Sequence, residues 1–226
     1  MEIRDRIITI DKNIISAEAE RLFDIGCGLN REGGRIEKMR KSGWKIREAI
    51  EDRISPRVVC SFFDHAEIID RTAVIGDKAF TCNGFSQVDP EVVEGACIYI
   101  LTAGDFDMDD RPVLEQVYAY IWGTAFTDAA REYLKHEILG YKKVSDAFGP
   151  GFYGMDMTQM QDLAALADAH QIGVDVKQSG LLVPLKSCAG IYFEVTDDYR
   201  KMKKECGDCW GNPSGCSMCN IANIQS

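Results

Sequence analysis

The sequence has no apolar run approaching the roughly 18 residues of a membrane-spanning helix, so no helical span is expected. It has no basic excess either: 26 Lys and Arg stand against 36 Asp and Glu, for a formal charge of −10. A general nucleic-acid binder needs a basic footprint, so nucleic acid is not an expected partner. The same acidity keeps a chain soluble and repels anionic membrane surfaces. The N-terminal MEIRDRIITID lacks an apolar signal core, and the expectation is a cytoplasmic protein. Gly26, Gly28, Gly33 and Gly34 cluster, but no GK[ST] ending makes them a phosphate loop. There is no HExxH and no recognisable Ser-His-Asp set, and His65 has no HxxxH partner. Asp105, Asp107, Asp109 and Asp110 alternate without the Gly and closing Glu of an EF-hand loop, and read as an acidic helix start. No internal repeat or low-complexity segment is present.

Cysteine, by contrast, is plentiful. Four of the nine fall in ECGDCWGNPSGCSMCN, residues 205–220. Cys206 and Cys209 form one CxxC, Cys216 and Cys219 a second. Each pair puts two thiolates on one tight turn, as a tetrahedral metal or an iron–sulfur cluster requires. Six residues separate the pairs, against roughly 15–20 in a zinc ribbon, which suits a compact knuckle or a cluster. Spacing alone leaves Zn2+ and a [4Fe–4S] cluster both open. The competing reading is a tail of reduced thiols or two disulfides. Cys27, Cys60, Cys82 and Cys97 sit singly and read as small core residues.

Along the chain, short strand-like runs and helical stripes alternate irregularly, which predicts an α+β fold. A helix is expected from Ser16, as N-cap, to Phe23. A second is expected over 35–53, stopped by Pro56. RVVCSFF (57–63) and ACIYILT (96–102) read as buried strands, and residues 68–75 as a possible hairpin. Residues 112–139 form a long helix with an apolar stripe. GPGFYG (149–154) is a glycine-rich loop, and a helix capped near Asp156 covers 158–170. Residues 181–184 and 189–195 read as a closing strand pair. Cys188 reads as a small packed residue.

Three of these stretches together resemble the activation domain of cobalamin-dependent methionine synthase. AFTDAAREYLKH (125–136) is similar to that family's AExxAEYLH-like helix. GPGF (149–152) is similar to its RxxPGY loop. GVDVKQSGLLVPLKSCAGIYF (173–193) resembles its GxxLTES…M.P..SVSGxYF run, with Ser179, Pro184, Ser187, Gly190, Tyr192 and Phe193 in register. The likeness covers roughly the C-terminal half up to residue 195. It implies a curved antiparallel sheet with flanking helices. It also implies S-adenosylmethionine as a ligand and a corrinoid carried by a partner, a corrinoid protein or methionine synthase acted on in trans. A low-potential electron donor would complete the set.

The residues that the likeness marks for the ligand are Asp128 and Glu132, the loop Gly149, Pro150, Gly151, Phe152 and Tyr153, and Tyr192. The tail adds Cys206, Cys209, Cys216 and Cys219 for a metal. Two positions depart from the pattern. The family arginine, which holds the S-adenosylmethionine carboxylate, falls on Ala147; Lys142 and Lys143 offer only point charges nearby. The tyrosine of PGY is Phe152, with Tyr153 beside it. The expected organisation is an N-terminal helical segment (1–56) packed on the main domain, the activation-like domain (57–200) and the cysteine tail (201–226). The expected function is reactivation of a corrinoid-dependent methyltransferase or corrinoid protein, by reduction of Co(II) and methylation. The alternative is a non-catalytic binding module with a structural zinc.

Overall fold

Strands that are apolar nearly throughout must be covered on both faces, because successive side chains point to opposite sides of a sheet. That condition shapes the molecule. The structure, a computed structural model, describes residues 4–29, 33–140 and 142–202. In chain order the elements are β1 (Arg4–Thr9), α1 (Lys12–Gly26), α2 (Gly34–Ala49), β2 (Ile54–Phe63), β3 (Ala66–Ile69), β4 (Thr72–Ile75) and β5 (Lys78–Thr81). β6 (Val93–Gly104), α3 (Val113–Tyr133), α4 (Met160–Ala167), β7 (Asp175–Val176), β8 (Leu182–Val183) and β9 (Lys186–Val195) follow.

The central sheet is antiparallel in the order β1-β2-β6-β9. One face carries Val59, Phe63, Ile98, Ile100 and Phe193, packed under the β3-β4-β5 meander and α4. The other carries Val58, Cys60, Leu101, Tyr99 and Tyr192, covered by α1, α2 and α3. The register shifts near Ile54, Val93 and Thr102, and such irregularities bend a strand. The result is the curved antiparallel α+β architecture with flanking helices that the resemblance implied. No helix among the described residues is long and apolar enough to cross a membrane.

Several local expectations change. The first helix begins at Lys12, because Asp11 caps it by accepting from the Asn13 N–H at 2.9 Å. Ser16 instead donates to the Lys12 carbonyl one turn back. Pro56 ends no helix: α2 stops at Ala49, and Pro56 lies inside β2, its carbonyl accepting from Ile10 N–H. β1 pairs with β2 along its whole length, so the N-terminal segment supplies an edge strand as well as two helices. The long helix keeps α geometry to Tyr133 and continues as a π-helical turn, Leu134–Ile138, closed by Leu139 N–H on the Leu134 carbonyl. Residues 182–183 pair with β7, whereas β9 pairs with β6; the two segments read as a closing pair are not hydrogen-bonded partners.

The helical layer is fastened by aromatics. Trp122 of α3 stacks on Phe23 of α1 at 3.9 Å between centroids, and its indole N–H donates to the Gly43 carbonyl of α2 at 2.9 Å. A Cβ on Gly43 would lie 2.5 Å from the Phe23 ring. Alanine normally favours a helix over glycine by up to about 1 kcal/mol. Here overpacking should reverse the sign: Gly43→Ala is expected to destabilise by ~1–3 kcal/mol in urea unfolding. A neutral or stabilising result would mean that the three-helix contact has slack.

Candidate ligand-binding site

The site is assembled where the GPG loop, β9 and α3 meet. After α3 the chain returns along the free edge of β9. Ser145 N–H donates to the Phe193 carbonyl, and Phe148 and Ile191 exchange a pair of backbone bonds at 3.0 and 2.7 Å. The Ser145 hydroxyl accepts from Phe193 N–H. Residues 143–148 therefore lie along β9, and they set the start of the GPG loop against Ala189 and Gly190.

Small residues make this approach possible. A Cβ on Gly149 would meet the Ala189 carbonyl at 2.7 Å. A Cβ on Gly190 would meet the Phe148 carbonyl at 2.7 Å and the Tyr99 hydroxyl at 2.9 Å. Tyr99 of β6, directly opposite Gly190, thus lays its ring across the glycine toward the loop. Tyr99 stacks on Tyr192, their centroids 5.2 Å apart, and both rings are buried on the helical side of the sheet.

Above these rings runs α3, whose residues 128 and 131 share one face, continued by residue 135 in the π-helical turn that follows. Asp128 pairs with Arg131 at 3.2 Å. Burial pushes the Asp128 carboxyl up from its ordinary range, and the Arg131 guanidinium opposes this. Burial disfavours the Arg131 charge, but Tyr99 and Asp128 beside it outweigh that and raise its pKa on balance. Lys135 reaches the Tyr192 ring at 5.9 Å. Glu132 is exposed on the flank and pairs with His136 at 3.5 Å. Cys188, at the β9 end of the cluster, has its thiol pushed up to about 12 by burial, with Arg131 opposing, so it is an inert packed thiol.

Of the residues singled out from the sequence, Asp128 and Tyr192 face the same side as Arg131, and Glu132 borders it. Gly149 lies at the loop root. Phe152 is exposed, and Tyr153, with φ of 49°, turns its ring onto Phe148 in the opposite core. Ala147 packs on the helical side, in the core that holds Tyr192. Lys142 is ion-paired with Glu194, and Lys143 donates to the Asp197 carbonyl at 2.6 Å. Cys206, Cys209, Cys216 and Cys219 lie outside the described residues. Among the described residues no His, Cys, Asp or Glu group has the makings of a metal site.

Sequence reasoning missed Tyr99, Arg131 and Lys186. Tyr99 was hidden in a run that reads as core. Arg131 stands where the AExxAEYLH-like pattern has alanine, which is the signal that marks it. Lys186 is nearly buried, its stem passing over Gly123, where a Cβ would be 2.6 Å away. Its amine donates to Thr124 at 2.9 Å and sits on the face of Tyr120.

No family model matches the sequence, and no curated protein matches it. The fold, however, has a counterpart among solved structures. It matches the crystal structure of the MetH reactivation domain bound to AdoHcy with a TM-score of 0.67, covering 88% of this chain and 80% of that chain at 13% identity.

Burial lowers the Lys186 amine to about 8, although Asp128 opposes the shift. The unfolded chain keeps the ordinary value of 10.5, so between those limits it binds more protons than the folded one, and stability rises with pH. Lys186→Met removes this titration. The melting temperature of the parent should therefore gain on the variant from about pH 8 to about pH 10. A constant gap across that range would contradict the buried, partly neutral amine.

Proposed function

We propose that this chain is a stand-alone reactivation protein for a corrinoid protein or a corrinoid-dependent methyltransferase, and that it binds S-adenosylmethionine at the junction of α3, β9 and the GPG loop. The reading is carried by one observation: a fold match spanning most of both chains, to a reactivation domain bound to AdoHcy. The convergence of Asp128, Tyr192 and the loop root on that junction supports it.

The chemistry needs two inputs. One electron takes a Co(II) corrinoid to Co(I). Methyl transfer from the sulfonium then leaves S-adenosylhomocysteine, the sulfur keeping the bonding electron pair. The corrinoid is carried by the partner and acted on in trans. The four tail cysteines have the donor set for a low-potential [4Fe–4S] centre, which would supply such electrons, or for a structural Zn2+. With a zinc tail the protein's own role is docking, ligand positioning and shielding; with a cluster, electron supply is added to these. Met202, the last described residue, has its N–H on Asp146 Oδ2 at 3.1 Å, and Asp146 immediately precedes Ala147. The last described residue is therefore held beside the segment that leads into the loop.

The test is reactivation itself. Protein purified without oxygen, mixed with a Co(II) corrinoid protein, S-adenosylmethionine and a reductant, should replace the Co(II) spectrum with that of the methylated corrinoid. Iron and sulfide in the protein, with a dithionite-bleached absorption band, would assign the tail to electron supply. Ser at Cys209 and Cys216 should then slow reduction at least tenfold. One zinc, no colour, and ligand binding without corrinoid turnover would instead make the chain a binding module.

A further inference from the structure

Arg131 and Asp128 present opposite charges 3.2 Å apart on one helix face, beside two buried phenols. The guanidinium carries five N–H donors in a planar fork, and its ion pair with Asp128 occupies few of them. None of its nitrogens is a buried orphan, so the remaining donors open onto accessible space. Tyr99 and Tyr192 face the guanidinium, and among the described residues neither hydroxyl has a hydrogen-bond partner. Cys188 completes that side with a neutral thiol. The cluster thus offers several donors and a fixed positive charge, with one carboxylate at its edge.

That pattern matches the two ends of an α-amino acid: a carboxylate for the fork and phenols, an ammonium for Asp128. Of the neighbouring lysines, Lys142 pairs with Glu194, Lys143 with Asp197 and Lys186 with Thr124 and Tyr120, while Lys135 lies over the Tyr192 ring at 5.9 Å and adds a second cation to this face. The location agrees as well. The Tyr99 hydroxyl and the Phe148 carbonyl both lie over Gly190, so the phenol end of the cluster adjoins the loop that carries Ala147.

We propose that Arg131 is the carboxylate anchor for the amino-acid end of the ligand, supplied from α3 because Ala147 on the loop has no side chain to do it. The assignment rests on the S-adenosylmethionine reading above. Ala147 packs on the helical side of β9, and Arg131 lies on that same side, on the helix above, beside Tyr99 and Tyr192. Exchange of an arginine between two elements that meet at one junction preserves the charge while changing its point of attachment.

Calorimetric titration of the full chain with S-adenosylmethionine and with its decarboxylated form tests it. The two share the adenosine, sulfonium and amine, and differ in the carboxylate. The parent protein should prefer the carboxylate form by roughly 10- to 100-fold, the range of a charge-assisted pair. Arg131→Met should erase the preference while leaving the decarboxylated ligand bound, and Arg131→Lys should restore part of it. Equal binding of both ligands by the parent overturns the anchor without any variant and leaves the adenosyl reading standing. An undiminished preference in a folded Arg131→Met variant does the same. Binding of neither ligand by the parent overturns the adenosyl reading, and the anchor with it.

Discussion

The close approach of backbone to backbone at Gly190 is the constraint on which the candidate site depends. Three separate parts of the chain meet there: the β9 backbone, the Phe148 carbonyl from the returning edge segment, and the Tyr99 ring from β6. A side chain at 190 would displace at least one of them. With glycine, Tyr99 lies across β9 rather than upright, and the edge segment closes on the strand. The Ser145 and Phe148 hydrogen bonds then hold the loop root in place. Cross-strand aromatic–glycine contacts are ordinary in sheets, but this one also sets the floor under α3.

On that floor the electrostatics follow from a helix passing over a sheet edge. A charged side chain in the middle of such an interface would be left without water or partner, at a cost of several kcal/mol. Near the edge it keeps one side open. Arg131 and Asp128 are in this position: their side chains are 26% and 32% exposed, so both remain in contact with water. Lys186 is further in, and the lowering of its amine to about 8 records the difference. The same strand thus carries a group that pays for burial at Lys186 and, two residues on, the neutral Cys188.

Much of the architecture was legible in the sequence. ACIYILT and RVVCSFF read as buried strands because their apolar residues run without alternation, and β6 and β2 are indeed covered on both faces. The hairpin at 66–75 and the cap at Asp156 followed from local pattern. Partner choice was not legible: residues 182–183 are too short for period to say which strand they join. Helix starts were misplaced where a polar residue had two uses, as Ser16 did. The site was half legible. Asp128 and Tyr192 were marked by motif, whereas Tyr99 and Lys186 look like core and surface residues until the register of β6 on β9 brings them to α3. Tyr153 seemed a substitute for the tyrosine at 152, but its left-handed backbone sends its ring to the other core.

The order of elements along the chain brings its last described residues back to the segment before the GPG loop. β9 ends at Val195, the next turn brings Tyr199 back to Asp146, and Met202 is bound to the same carboxylate. That carboxylate is buried and accepts two hydrogen bonds, so the segment preceding the cysteine tail is fixed at the loop rather than at the far edge of the sheet. The anchoring of Tyr199 and Met202 on Asp146 therefore holds the last described residues against the segment that leads into the GPG loop, so the end of β9 and the root of the loop are braced by one buried carboxylate.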